Sequence, residues 1–248
     1  MNEPIIVIED LVKRFGDSTA VDNLSLKIFE GELFGLLGPN GAGKTTTINV
    51  LCGLFKPTGG KVLVDGFDVQ KETSKVKSLI GVCPQDTAVF KYLTGRENVE
   101  LFGSLYGLPK EKLRRNASTL LNRLGFNGYA DVLTSKYSGG MKRRLSLIMA
   151  LVHDPEIAFL DEPTVGMDPQ SRHAVWTFLR ELKGHGKTII LTTHYMEEAE
   201  NLCDRIGIVD HGKLIAVGTL DELKEQYGVN CLEDVFMQLT GRKIRDEM

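Results

Sequence analysis

The stretch Leu33-Phe34-Gly35-Leu36-Leu37-Gly38-Pro39-Asn40-Gly41-Ala42-Gly43-Lys44-Thr45-Thr46 fits the pattern G-x-x-x-x-G-K-[ST]. The bare pattern also occurs by chance, as a Gly-rich turn with a lysine. Here an apolar strand, Leu33–Leu37, runs into it and a helical pattern over 43–51 runs out of it, and this context favours a phosphate cradle. Gly38, Gly41 and Gly43 let the backbone curl so that successive N–H groups face inward. The helix that follows adds the positive end of its dipole. In such a loop Lys44 neutralises β- and γ-phosphate oxygens, Thr45 offers its hydroxyl to Mg²⁺ and Thr46 reaches the α-phosphate. Pro39, Asn40 and Ala42 complete the turn.

Outward from the loop, short β-rich segments recur at 5–8, 24–29, 61–64 and 79–82, and again at 157–160, 188–192, 205–209 and 213–217. A helix is expected over 170–183, after Pro169 and before Gly184. The middle reads differently, with almost no strand signal between Thr94 and His153. Thr94-x-x-Glu97 is a capping box opening a segment with Val99, Phe102 and Leu105 on its apolar positions. Pro109 opens another, with Leu113, Leu120, Leu121 and Leu124, closed by Gly125. A helical insert therefore interrupts an alternating strand and helix pattern, and the parts on either side are expected to share one mostly parallel sheet. The end, 220–248, reads as helical and charged, an appendage rather than a domain.

Composition sets the outer bounds. A chain of 248 residues with 42% hydrophobic and 25% charged residues has the balance of a soluble globular protein with a core of its own. A net charge of −3 removes the bulk electrostatic argument for a nucleic-acid partner, and none is expected. Cys52, Cys83, Cys203 and Cys231 are scattered, which suggests neither a zinc site nor a disulfide framework and fits a reducing compartment. The start has no basic region followed by an apolar stretch, so no signal peptide is expected. The longest apolar run, 145–152, is broken by Ser146 and far too short to span a bilayer, so work at a membrane requires another chain.

A second constellation lies at Ile157-Ala158-Phe159-Leu160-Asp161-Glu162. Four apolar residues form a buried strand and deliver two acids at its C-terminal end, where ligands sit in open α/β sheets. Asp161 is the candidate Mg²⁺ holder and Glu162, one residue on and pointing elsewhere, the candidate to polarise an attacking water. The competing reading is a strand ending in a solvated acidic turn. Together with the upstream cradle, the chemical reading is favoured.

Tyr137-Ser138-Gly139-Gly140-Met141, shortly before that strand, completes an ordered set that resembles the ABC-type ATPases, whose signature is usually Leu-Ser-Gly-Gly-Gln. The likeness covers nearly the whole chain and includes Gln85 after a strand, Gly166-Met167-Asp168, and His194 after Thr192-Thr193. Tyr137 and Met141 depart from the usual signature, and the Ser138-Gly139-Gly140 centre is intact. The resemblance implies an α/β P-loop NTPase core with a mostly parallel sheet, an antiparallel β portion and an inserted α-helical subdomain. It divides the chain into an ATPase domain over 1–220, with core 1–85 and 155–220 and insert 86–154, and a helical tail over 221–248.

The resemblance also implies roles. ATP and Mg²⁺ are the expected cofactors, and ATP-dependent head-to-tail homodimerisation is expected, with Ser138, Gly139 and Gly140 of one copy capping the nucleotide held by the cradle of the other. Phe15 takes the place of the usual adenine-stacking Tyr; a core aromatic beside a turn competes with that reading. Gln85 would report on Mg²⁺ and the water, against a plain loop amide. His194 looks like the switch histidine on the γ-phosphate, against a surface histidine. Asp168 would bridge the two copies, and an N-cap role is compatible with that. The catalytic set is then Glu162, His194, Gln85 and Lys44, and the metal set Thr45, Gln85 and Asp161.

The implied function is ATP hydrolysis powering translocation, with export the expected direction, through separate membrane-spanning permease subunits, with the chain peripheral on the cytoplasmic face of the cell membrane. The tail Leu232-Glu-Asp-Val-Phe236-Met-Gln-Leu-Thr240-Gly-Arg242 resembles the ends of exporter-type members that serve multidrug, antibiotic or ion efflux; its simpler reading is an amphipathic helix with Leu232, Val235, Phe236 and Leu239 on one face. The alternative function is a non-transport ABC ATPase with a regulatory, assembly or translation-related role. Lys142-Arg143-Arg144 reads as a solvated face of the signature helix.

Overall fold

The computed structural model describes residues 3–241; the last residues of the tail, from Arg242 on, lie outside that range. In chain order the elements are β1 (Pro4–Phe15), β2 (Ser18–Phe29), β3 (Leu33–Leu37), α1 (Lys44–Leu51), β4 (Gly59–Val64), β5 (Phe67–Asp68), α2 (Thr73–Leu79) and β6 (Ile80–Cys83). Then follow α3 (Gly95–Leu105), α4 (Lys110–Arg123), a 3₁₀ turn (Thr134–Lys136), α5 (Gly139–Leu151), β7 (Ile157–Asp161) and α6 (Pro169–Gly184). The chain ends with β8 (Thr188–Thr193), α7 (Met196–Leu202), β9 (Arg205–Asp210), β10 (Lys213–Gly218), α8 (Leu220–Tyr227) and α9 (Leu232–Thr240). Among the described residues, those up to Lys77 and those from Thr188 onward form one compact unit, and Ser78–Lys187 forms the other.

In the first unit β3 is buried along its whole length and runs parallel to both β8 and β9, with β10 folded back antiparallel on β9. A strand covered on both faces reads as a continuous apolar run, which is why Leu33–Leu37 is legible as it stands. Its glycine has a packing reason: a Cβ on Gly35 would lie 2.5 Å from the Cys203 sulfur. A second sheet, ordered β2-β1-β4-β5, is antiparallel throughout. In β2 the buried residues Val21, Leu24, Leu26 and Ile28 alternate with exposed ones after a single shift, the mark of a sheet with one wet face.

The tail is not an appendage. Leu223 of α8 and Leu232, Val235 and Phe236 of α9 are fully buried against Leu37, Ala199, Ile206 and Ile208, with Leu239 packed at the margin. Residues 220–240 thus close the core beside the strand that leads into the cradle, and the amphipathic reading of α9 is correct.

In the second unit β6 and β7 pair in parallel with Ile80 opposite Ile157 and Cys83 opposite Leu160. Helix α5 packs on both strands, and at Gly81 it comes so close that a Cβ would sit 2.2 Å from the Ala150 carbonyl oxygen. The capping box of α3 is complete: the Glu97 N–H donates to the Thr94 hydroxyl at 3.1 Å and the Thr94 N–H donates to the Glu97 carboxylate at 2.7 Å. Val99 is buried as expected, whereas Leu105 at the end of that helix is 74% exposed and belongs to the solvent face. Helix α4 buries Leu113, Ala117 and Leu121, with Leu124 at its cap.

Candidate active site

The cradle is built from three glycines with three different constraints. A Cβ on Gly38 would meet the Val209 carbonyl oxygen at 2.3 Å, so this position needs close approach. Gly41, at φ +80°, has open space and needs only the left-handed backbone. Gly43, at φ +103°, needs both, since a Cβ there would lie 2.4 Å from the Ala20 carbonyl oxygen. Gly43 caps α1 without a side chain, so the first helical N–H groups of α1 meet no capping oxygen from that residue. The Gly38 N–H donates to the Thr193 carbonyl at 3.3 Å and the Gly212 N–H to the Ala42 carbonyl at 3.0 Å, which ties both ends of the loop to the sheet.

Lys44 is buried along its stem, and its ammonium donates to the carbonyls of Gly38 at 2.7 Å and Pro39 at 3.1 Å. The charge is thereby held inside the loop. Pro39, Thr45 and Thr46 are half-buried, and Asn40 and Gly41 are exposed at the rim. His194 follows β8 directly and is buried, its ring centroid 4.3 Å from that of Tyr195. The surface-histidine reading is therefore wrong. Because Thr193 receives the Gly38 N–H, His194 is one residue from the anchor of the cradle.

Phe15 is 45% exposed at the β1–β2 turn, so the core-aromatic reading also falls. It meets Phe55 edge-on at 5.4 Å, and the Lys13 ammonium stands 4.6 Å from its ring centroid. A half-open ring backed by a second aromatic is a platform on which a base can stack.

In the second unit the register of β6 and β7 determines what meets beyond the strands. Gln85 lies two residues past Cys83 and Glu162 two past Leu160, so in-register parallel strands bring them to one level. The Gln85 amide nitrogen donates to the Glu162 carboxylate at 3.4 Å. Asp161 ends the strand and is buried. Glu162, also buried, turns into the left-handed region at φ 50°, which breaks the strand alternation and re-aims its side chain. Gln85 itself is an exposed loop amide, as its plainer reading has it, with this one contact to the acid; the solvated-turn reading of the two acids fails, because both are buried.

Ser138 caps α5, accepting the Met141 N–H at 3.2 Å. Gly139 and Gly140 follow in the first turn, and a Cβ on Gly139 would touch nothing within 4 Å. Asp168 caps α6, accepting from the Ser171 N–H at 2.9 Å and hydroxyl at 2.7 Å; these bonds hold its carboxyl below the usual carboxylate range. Tyr137 accounts for its own departure from the usual signature. It is buried, packs on Phe126 at 5.5 Å, and donates its hydroxyl to the Tyr129 carbonyl at 2.6 Å; burial pushes its phenol pKa up. Gly95 makes the room, since a Cβ there would lie 2.3 Å from that hydroxyl. Tyr137→Phe should remove one of two donors on the Tyr129 carbonyl, which keeps the Val132 N–H at 3.0 Å, and cost about 1 kcal/mol, read as a fall of about 2–4 °C in Tm.

Sequence reasoning missed Arg143. It is no solvated face: the side chain is 4% exposed and its guanidinium donates to the carbonyls of Pro84, Gln85, Asp161 and Glu162. The only signal was its place in the second turn of a helix whose following residues, 145–152, are nearly all apolar.

Among the described residues no helix is long and apolar enough to cross a membrane, and no cluster of three His, Cys, Asp or Glu is present. A glycine loop feeding a helix, a Ser-capped Gly-Gly helix start and an acid pair at a strand end are, each by itself, features of nucleotide-hydrolysing cassettes. The profile of the family described as ABC transporter matches residues 21–165, and the chain belongs to that family as an ATP-binding, ATP-hydrolysing subunit. It is 44% identical over 242 residues to the daunorubicin resistance ATP-binding protein DrrA3 of Streptomyces coeruleorubidus, covering 98% of this chain and 76% of that one. The Nod factor export ATP-binding protein I of Ralstonia nicotianae is 44% identical over 220 residues, covering 89% of this chain and 68% of that one. The dimeric post-hydrolysis structure of an ATP-binding cassette bound to ADP and Pi superposes with a TM-score of 0.80 at 28% identity, covering 87% of this chain and 98% of that one.

Proposed function

We propose that this chain is the motor of an exporter, hydrolysing ATP to ADP and phosphate to drive separate permease subunits from the cytoplasmic face of a membrane. The observation that carries the hydrolytic part is the pair Gln85 and Glu162, 3.4 Å apart beyond in-register strands, with the acid on a left-handed residue. The export part is supported by relatives whose names speak of drug resistance and Nod factor export.

In this reading Phe15 stacks on the base, the N–H groups of 38–43 and Lys44 hold the phosphates, and Thr46 reaches the α-phosphate. Glu162 polarises the attacking water and receives help from Gln85 in orienting it, while His194 contacts the γ-phosphate. Positioning and charge neutralisation do most of the work in phosphoryl transfer. Thr45 offers a hydroxyl, Asp161 a carboxylate and Gln85 an amide oxygen, each a hard oxygen of the kind Mg²⁺ takes. When bound, Mg²⁺ neutralises charge on the β- and γ-phosphates.

Ser138, Gly139 and Gly140 serve the nucleotide of a second copy. Among the described residues nothing packs where a Gly139 Cβ would go, and its backbone does not need a left-handed angle, which leaves this face of the helix start open to a ligand from a second copy. Dimers of related cassettes support the same reading. Asp168 lies across that dimer interface while capping its helix, and the helical run 86–154 with the Gln85 loop carries the permease-docking surface.

Two measurements test this. Phe15→Ala should weaken ATP binding by about tenfold, the value of one lost aromatic stack, with turnover at saturation nearly unchanged; unchanged affinity removes Phe15 from the site. Pull-down of the tagged chain from detergent-solubilised membranes of its own host should bring a multi-span protein with it. ATPase activity stimulated by nucleic acid, with no such companion, would overturn the transport reading.

A further inference from the structure

Arg143 takes no part in the chemistry described so far, although it is buried at the centre of it. Its guanidinium collects four backbone carbonyls. Nε donates to the Glu162 carbonyl at 3.1 Å, Nη1 to the Pro84 carbonyl at 2.7 Å and to that of Gln85, and Nη2 to those of Asp161 and Glu162. Four carbonyl dipoles converging on one point repel each other unless a cation sits there. Glu162 meanwhile holds a left-handed angle that a non-glycine residue adopts only when its surroundings enforce it. Besides Arg143, the Val165 N–H reaches the same Glu162 carbonyl, at a longer 3.3 Å.

We propose that Arg143 is the positioning residue of the hydrolytic site: one planar fork fixes the backbone of Gln85 and of Glu162 together and so sets where the amide and the carboxylate meet. The inference rests on the reading of Glu162 as the water-polarising acid. Arg143 also stands on α5, the helix that Ser138 caps, so its hydrogen bonds tie that helix to the two strand ends. A lysine cannot do the same work, because an ammonium has no fork to span carbonyls from two strands. An apolar side chain fills the space without donating to any of the four carbonyls.

The test is steady-state ATP hydrolysis and equilibrium ATP binding on the full chain, in Arg143→Met, Arg143→Lys, Glu162→Gln and the Arg143→Met/Glu162→Gln double variant. Arg143→Met should lower kcat by about 30-fold or more with ATP affinity within about threefold, and Arg143→Lys should fall between it and wild type. The double variant should be no slower than Glu162→Gln alone within about twofold, because both changes act on one group. The proposal is overturned by a folded Arg143→Met with wild-type kcat, by affinity falling in step with kcat, by additive losses in the double variant, or by failure of both Arg143 variants to fold. Wild-type hydrolysis in Glu162→Gln would instead remove the role given to Glu162, whatever Arg143 does.

Discussion

Glu162→Gln should lower ATP turnover by about 10²–10⁴-fold and leave ATP affinity within a few-fold of wild type, the range expected when a positioned general base is removed. The substitution keeps the size of the side chain and an oxygen that accepts the Gln85 N–H at its present 3.4 Å distance. The left-handed backbone at Glu162 is held through its carbonyl, which the substitution does not touch. What is lost is the negative charge that draws a proton from water. Phosphate release against equilibrium nucleotide binding separates the two effects. The same variant should accumulate as a dimer with ATP and return to monomer with ADP, seen by size-exclusion chromatography. Near-normal hydrolysis would refute the assignment of Glu162, and a monomer in saturating ATP would refute the shared site.

The contrast between Glu162 and Arg143 marks how far a sequence can be read. Asp161 and Glu162 are legible because a buried parallel strand is a continuous apolar run, so its end is visible, and ligands gather at such ends. Lys44 is legible because glycines fix the loop around it. The strands β6 and β7, by contrast, are identifiable one at a time, but their register is not written in either of them. That register is what brings Gln85 to Glu162. Arg143 fails to declare itself for the same reason, since its partners are backbone carbonyls and carry no residue signature. The long β1 is only partly visible, over 5–8, because its pairing with β2 shifts register between Ile8 and Leu11 and Asp10 turns left-handed there, which breaks the alternation. Leu105 continues the apolar spacing of Val99 and Phe102 but ends α3, where its side chain faces solvent, so spacing alone does not tell it from a core position.

Lys44→Ala should weaken ATP binding by at least about tenfold and lower kcat/KM by about 10²–10³-fold, the scale of removing one preorganised donor from developing charge. The ammonium is held by two carbonyls, those of Gly38 and Pro39, and its stem is buried, so its charge is delivered with little freedom left to lose. Lys44→Arg keeps the charge and should recover only a small part of the loss. A guanidinium is wider than the ammonium and must point its fork into a turn whose Gly38 has a carbonyl within 2.3 Å of where a Cβ would stand. If charge alone mattered, the arginine variant would bind ATP nearly as well as wild type. Isothermal titration with ATP and with ADP divides the contribution further: a lysine on the terminal phosphates should cost ATP more than ADP when it is removed. Equal losses for the two nucleotides would place Lys44 on the inner phosphates, and unchanged affinity with a normal rate would remove the loop from the site altogether.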